Sequence, residues 1–272
     1  MMKTDNILER LAVSAEARVA REKAAMPLSE LERLCESKPT GDFAFETALK
    51  APGLSFVCEV KRASPSKGMI AEHFPYLSIA RDYASGGAAG LSVLTEPEYF
   101  LGSDAYLGEI AAAVPLPVLR KDFTVDIYQI YQAKVLGARA VLLICAILDE
   151  SRLREFLACA NALGLSALTE VHDEKELDAA LRAGARMIGV NNRDLRTFAV
   201  DPLNCLRLRA SIPPGTLCVA ESGIATRADA ERLAENGVDA VLVGEALMRA
   251  PDRKAALQRL MPRRNTTCCR EA

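Results

Sequence analysis

The chain has 272 residues, half of them hydrophobic, with 34 basic against 36 acidic side chains and a formal net charge of −2. That is ample apolar material for one large core, and the near balance of charge excludes the basic field that attracts nucleic acid or an anionic membrane surface. The longest apolar run, AVLLICAIL (140–148), is about half of what a membrane span needs; with a charged amino-terminal stretch that lacks a signal-peptide segment, a soluble cytoplasmic protein is expected.

In chain order, residues 1–50 are expected to form a helical extension of two helices, one ending near Met26-Pro27, packed on the domain that follows. Eight short runs rich in Val, Ile and Leu then read as strands: SFVCEV (55–60), GLSVLT (90–95), VLRK (118–121), AVLLIC (140–145), SALTEV (166–171), MIGVNN (187–192), LCVAES (217–222) and AVLVGE (240–245). Helix-period segments fill gaps between them at 126–137, 149–164, 173–184 and 226–237, opening on Asp or Thr as N-caps and ending on Gly137, Gly164, Gly184 or Gly237. Strand and helix alternating eight times within one domain predicts an α/β fold, a single (β/α)8 TIM barrel over 51–262. An open doubly wound sheet is disfavoured, because no G-x-G-x-x-G follows the first strand. Residues 263–272 are expected to be a mobile tail.

Eight cysteines and two histidines carry no C-x-x-C pair, so no metal site is expected. Cys58, Cys145 and Cys218 lie in apolar runs as buried thiols, and Cys268 and Cys269 fall in the tail.

Parallel barrel strands are covered on both faces and should be near-continuous apolar runs. Here most end on polar groups: Glu59 and Lys61, Thr95 and Glu96, Lys121 and Asp122, Glu170, Asn191 with Arg193, and Glu221 with Ser222. One such residue can be a loop-facing charge. Six strands doing so together call for a shared pocket at the carboxyl face, where barrel active sites lie. Alternation sorts the charges: Glu59 and Lys61 share a face with Val57, Lys121 with Leu119, and Glu170 with Leu168, while Arg120 and Asp122 face the other way. Glu59, Lys61, Lys121, Glu170 and Glu221 together make a nearly charge-balanced set in which acids and bases shift one another. Small residues after strands one, seven and eight predict a phosphate cradle from Ser64, Gly223, Gly244 and the N–H of Glu245, whose carboxylate must turn away from the anion.

The segments CEVKRASPSKG (58–68), GLSVLTEPEYFLGS (90–103), PVLRKDF (117–123), ALTEVHDEKEL (167–177), IGVNNRDLRTF (188–198), AESGI (220–224) and VLVGEALM (241–248) resemble the successive signatures of the indole-3-glycerol phosphate synthase family, from about residue 45 to 260. The resemblance implies a lyase of tryptophan biosynthesis acting on a small phosphorylated substrate, 1-(2-carboxyphenylamino)-1-deoxyribulose 5-phosphate. Ring closure, decarboxylation and dehydration would give indole-3-glycerol phosphate, with no metal and no organic cofactor. It also implies roles. Lys121 is the general acid, at a pKa expected to be lowered by Lys61 beside it, and Glu170 the general base, raised toward working pH by burial. Lys61 pairs with the substrate carboxylate, and Glu59 positions Lys61. Asn191 and Arg193 hold the anthranilate part, Glu221 and Ser222 contact the sugar hydroxyls, and Phe100 and Phe123 flank the ring, with a plain core role as their alternative. Ser64, Gly223, Gly244 and Glu245 match the phosphate cradle. No nucleic-acid or membrane partner is implied; the assembly is expected to be a monomer or weak homo-oligomer. Rival readings are another phosphosugar barrel enzyme, such as phosphoribosylanthranilate isomerase, or a non-catalytic sensor of a phosphorylated ligand.

Overall fold

The computed structural model describes residues 7–195 and 197–263, so the expected tail lies, apart from Arg263, outside the described residues. The barrel strands are β1 (Ser55–Val60), β2 (Gly90–Leu94), β3 (Val118–Lys121), β4 (Ala140–Ile144), β5 (Ser166–Val171), β6 (Met187–Asn191), β7 (Leu217–Glu221) and β8 (Ala240–Val243). They close into one parallel barrel, with β1 pairing both β2 (Val57 with Gly90) and β8 (Ser55 with Ala240). Every expected strand is present. Those that differ lose one or two residues at the carboxyl end, where the chain turns away to build loops.

Helices α1 (Ile7–Ala25), α2 (Leu28–Glu36) and α3 (Ala44–Leu49) precede β1. Between successive strands lie α4 (Tyr76–Gly86), α5 (Asp104–Ala113), α6 (Ile127–Leu136), α7 (Glu150–Ala162), α8 (Glu174–Ala183), α9 (Asn204–Arg209) and α10 (Arg227–Glu235). After β8 come α11 (Glu245–Met248) and α12 (Arg253–Leu260). The side chains of Asp126, Asp149, Asp173 and Thr226 accept hydrogen bonds from the first turns of α6, α7, α8 and α10, satisfying amides that have no partner within the helix. Gly137 and Gly184 end α6 and α8 at φ 91° and 92°, a conformation that costs a residue with a Cβ ~1–2 kcal/mol.

Alternation divides the apolar residues between two cores. Val57, Leu119, Leu142, Leu168, Met187, Val219 and Leu242 fill the barrel, while Phe56, Val118, Val141, Ala167, Ile188, Cys218 and Val241 pack against the helices. Arg120 belongs to the outer layer. Its guanidinium donates to Thr95 Oγ1 (3.2 Å), the carbonyl of Gln129 (3.0 Å) and Asp104 Oδ1 (2.9 Å).

The amino-terminal helices are anchored at both ends of the barrel. At the amino end, Phe45 and Leu49 of α3 are buried, the Glu46 N–H donates to Ser166 Oγ (3.2 Å), and the Glu46 carboxylate pairs with Arg186 (2.8 Å). Just before α3, Gly41 lies so close to Gly164 that a Cβ on either would overlap the other's backbone. At the carboxyl end, Arg18 of α1 pairs with Asp122 (2.6 Å), whose other oxygen accepts from Thr95 Oγ1 (2.5 Å). Two helices were expected before β1 and three are present among the described residues; α3, at six residues, is too short to show a helical period. The small residues after β1 form a short antiparallel hairpin that pairs Ala63–Ser64 with Gly68–Met69.

Asp122 has no exposed side-chain surface and neutralises Arg18 on one side and Arg120 (3.6 Å) on the other. Removing one member of a buried ion pair costs about 3–5 kcal/mol, because the partner charge stays buried. Asp122→Ala is therefore expected to lower the unfolding free energy by about that amount in urea titration; a loss below about 1 kcal/mol, the range of exposed pairs, would show that the network does not hold α1 to the barrel.

Candidate active site

Inward-facing positions at the carboxyl ends of the strands converge on one cavity of about 430 Å³. Glu59 and Lys61 reach it from β1 and the residue after it, Lys121 from β3, Glu170 from β5, Asn191 from β6 and Glu221 from β7. The loops add Ser64, Phe100, Phe123, Arg193, Ser222, Gly223, Gly244 and Glu245. The residues expected to act on, bind or cradle the substrate therefore all line the same cavity.

The charges form two linked groups. Lys61 Nζ pairs with Glu59 Oε1, and Lys121 Nζ lies 3.1 Å from Glu170 Oε2 and 3.3 Å from Glu221 Oε2. Glu59, Glu170 and Glu221 are each 4% exposed or less. Three carboxylates against two ammonium groups leave the buried set one proton short of balance. Burial alone would lower Lys121, but Glu221, Glu170 and Glu59 outweigh it and hold the ammonium above its ordinary pKa. Burial pushes Glu221 up to about 7, an effect that Lys121 opposes and the neighbouring Glu170 reinforces. Burial likewise raises Glu170, yet Lys121 and His172 outweigh it and keep this carboxylate below the usual range. Both expectations about pKa are thus reversed among the protein's own groups. Lys121 is raised, since three carboxylates crowd it and Lys61 is taken up by Glu59, and the carboxyl near neutrality is Glu221 rather than Glu170.

Two glycines make room for this charge. A Cβ at Gly189, an inward position of β6, would overlap Glu221 Oε1, and one at Gly244 would overlap Glu59 Oε1. Gly244 thus clears space for a carboxylate as well as standing beside the expected phosphate cradle. Just after β7, Ser222 and Gly223 lie in succession at φ 67° and 79°. Two left-handed residues in a row curve the backbone inward at a cost of ~1–2 kcal/mol for the serine, and Asn192 Nδ2 braces the turn by donating to the Ser222 carbonyl (3.0 Å). The Glu245 carboxylate points at Arg249 Nε (3.3 Å) and Lys67 Nζ (3.5 Å), which resolves its expected conflict with an anion. Consecutive backbone N–H groups at such turns form concave anion sites.

The remaining wall is apolar. Phe100 and Phe123 face each other with ring centroids 6.1 Å apart, Leu94, Leu142, Ile144 and Leu242 form the floor, and Ile7 and Leu11 of α1 close one side. Arg193 stands at the rim, donating to the carbonyl of Phe198 (3.2 Å) while its own N–H donates to Asn191 Oδ1 (3.0 Å). Thr95 and Glu96, grouped with the pocket charges by their place at a strand end, do not line it. Thr95 joins the Asp122 network, and the buried Glu96 carboxylate accepts from the N–H groups of Glu98, Tyr99 and Phe100, ordering the loop that carries Phe100. Sequence reasoning also missed His172, whose Nε2 lies 3.5 Å from Glu170 Oε1, and Asn192. The available signals were His172 two residues beyond the inward strand-end acid Glu170, and Asn192 directly after the inward Asn191.

Comparison with known proteins shows the family. Residues 8–260 match the family model described as Indole-3-glycerol phosphate synthase. The chain is 51% identical over 258 residues to an indole-3-glycerol phosphate synthase of Ruminiclostridium cellulolyticum, covering 93% of this chain and 98% of that one. It is 49% identical over 245 residues to one of Endomicrobium trichonymphae, covering 90% and 95%. Among solved structures, 3-hexulose-6-phosphate synthase from Salmonella typhimurium aligns with a TM-score of 0.63 at 16% identity, covering 76% of this chain and 96% of that one, a likeness of fold alone. The family match over nearly the whole chain and the half-identical relatives lead to one conclusion: the chain belongs to the indole-3-glycerol phosphate synthase family.

Proposed function

We propose that the protein is a carbon–carbon lyase, a carboxy-lyase, that converts 1-(2-carboxyphenylamino)-1-deoxyribulose 5-phosphate into indole-3-glycerol phosphate. The observation that carries this reading is a lysine ammonium held between two buried carboxylates, above an apolar floor and across from a turn of backbone N–H groups. The turn at Ser222-Gly223, with Ser64, Gly244 and the Glu245 N–H, suits the substrate phosphate. Phe100 and Phe123 suit the aryl ring, and Arg193 with Asn191 suits the anthranilate part. Lys61, held by Glu59, is placed to meet the substrate carboxylate, and Glu221 with Ser222 to meet the sugar hydroxyls.

In this reading the aryl carbon attacks the ketone while Lys121 donates its proton to the oxygen. A raised lysine pKa does not block that step. The ketone oxygen becomes an alkoxide as the bond forms, a stronger base than the amine, and a fixed cation stabilises that charge as it develops. The same transfer changes Glu170. Lys121 is the main opposite charge holding Glu170 ionised at a low pKa, so a neutral Lys121 leaves Glu170 a stronger base for the later proton removal that completes the indole. Carbon dioxide leaves between these steps, and with the last the hydroxyl departs as water, taking its second proton from Lys61. A non-catalytic sensor would use the phosphate turn, but would have no use for a buried Lys121–Glu170 pair, whose desolvation costs several kcal/mol per ion.

Incubation of the purified protein with the carboxyphenylamino sugar should produce indole fluorescence. Lys121→Ala is expected to lower kcat by on the order of 100- to 1000-fold, the cost of losing one preorganised donor to a developing oxyanion, while calorimetry still detects substrate binding through the phosphate. Near-normal kcat would remove Lys121 as the acid. Glu170→Gln should lower kcat by on the order of a hundredfold or more with an unchanged circular dichroism spectrum; an unaltered rate would take Glu170 out of the chemistry.

A further inference from the structure

We propose that His172 is a positioning residue that relays protons between Glu170 and solvent by way of Glu176. The inference rests on Glu170 being the base of the reaction above, and it gives that base an exit for the proton it collects.

His172 follows β5 by one residue, and its ring is fixed at one edge. Nδ1 lies 3.1 Å from Glu176 Oε2, and the same oxygen accepts the His172 backbone N–H at 2.7 Å. That anchor accounts for the imidazole's orientation but not for what its other edge does. Nε2 is buried and points at Glu170 Oε1, 3.5 Å away, and among the described residues neither atom has a hydrogen-bond partner. Buried polar atoms are seldom left unpaired, since each costs about 1–3 kcal/mol. Here the two face each other. With Nδ1–H donated to Glu176, a neutral imidazole turns a lone pair toward Glu170 Oε1, so exactly one proton can join the pair, on nitrogen or on oxygen.

The sequence of transfers balances. Glu170 takes a proton from the substrate, and the C–H electron pair stays with the forming indole. The carboxyl proton on Oε1 passes to the Nε2 lone pair, and the Nδ1 proton passes to Glu176 Oε2. Water takes it there, because Glu176 is partly exposed, at 21% of its side-chain surface. The reverse transfers then carry one proton inward to Glu170, which passes it to the neutral Lys121 Nζ, 3.1 Å from its Oε2; this resets the imidazole, restores the ammonium and leaves Glu170 ionised, and no electron is exchanged. The titratable groups around the ring are Glu170 on β5, Glu176 and Asp173 at the start of α8, Glu221 on β7, Lys121 on β3 and Cys145 after β4. Burial opposes charging the imidazole, but Glu176 and Glu170 outweigh it and raise its pKa. The relay therefore works on the alkaline side of that titration, and acid should switch it off.

The test is kcat and KM from about pH 5 to 9, across the imidazole range, for the intact protein, His172→Ala, Glu176→Gln and Glu170→Gln. His172→Ala is expected to lower kcat by on the order of a hundredfold, the lower end for a positioned proton-transfer group, with KM changed less than about twofold. Added imidazole should restore most of the loss in proportion to its free base. Glu176→Gln keeps a hydrogen-bond acceptor for the ring but removes both the charge and the proton acceptor, so kcat should fall and the acid limb of what remains should move to lower pH. Wild-type turnover by His172→Ala, a loss that imidazole leaves unrepaired, or an unmoved acid limb in Glu176→Gln would each overturn the relay. Full turnover by Glu170→Gln would instead overturn the base assignment beneath it.

Discussion

Lys121 is held 3.1 Å from one buried carboxylate and 3.3 Å from another, and the surroundings are arranged to make that tolerable. Each ion taken out of water costs several kcal/mol, comparable with the net stability of a whole domain, about 5–15 kcal/mol. The offset comes from the closed ladder and the two apolar cores on either side of it. Space is part of the same constraint. A Cβ at Gly189 or Gly244 would displace the carboxylate of Glu221 or Glu59 from its present place, so these two positions are left bare where the charge sits.

The strands, their inward alternation and the division between Lys121 and its neighbours Arg120 and Asp122 were all legible, because period-two patterning survives in a strand whatever it packs against. The list of cavity residues was legible from the strand ends and the family signatures together. What the sequence hid depends on register across strands. Gly189 makes room for Glu221 because β6 pairs with β7 and Asn191 lies level with Glu221, and no local motif announces that. Glu96 looked like its pocket neighbours, yet its carboxylate folds back onto three amides of its own loop. The location of the mobile proton was the least legible. It is set by how many carboxylates surround one lysine in space, and all three lie more than forty residues from Lys121 in the chain.

The amino-terminal helices connect the two ends of the barrel. Phe45 and Leu49 of α3 seal the end away from the cavity, and α1 reaches the cavity itself, where Ile7 and Leu11 form part of the wall. Asp122 links these tasks. It follows Lys121 directly, at the edge of the cavity, and its carboxylate binds Arg18 of α1. One strand end thus points a charge into the chemistry and the next charge into the scaffold that holds the mouth in shape.

The odd number of buried charges has a thermodynamic consequence for association. Glu221 changes its proton occupancy near neutrality, and a ligand that brings its own carboxylate and phosphate adds negative charge to a set already one proton short. Complex formation must then draw protons from the buffer, and by linkage the affinity becomes a function of pH. Calorimetric binding enthalpies will vary with the ionisation heat of the buffer, and that variation counts the protons the site takes up as it fills.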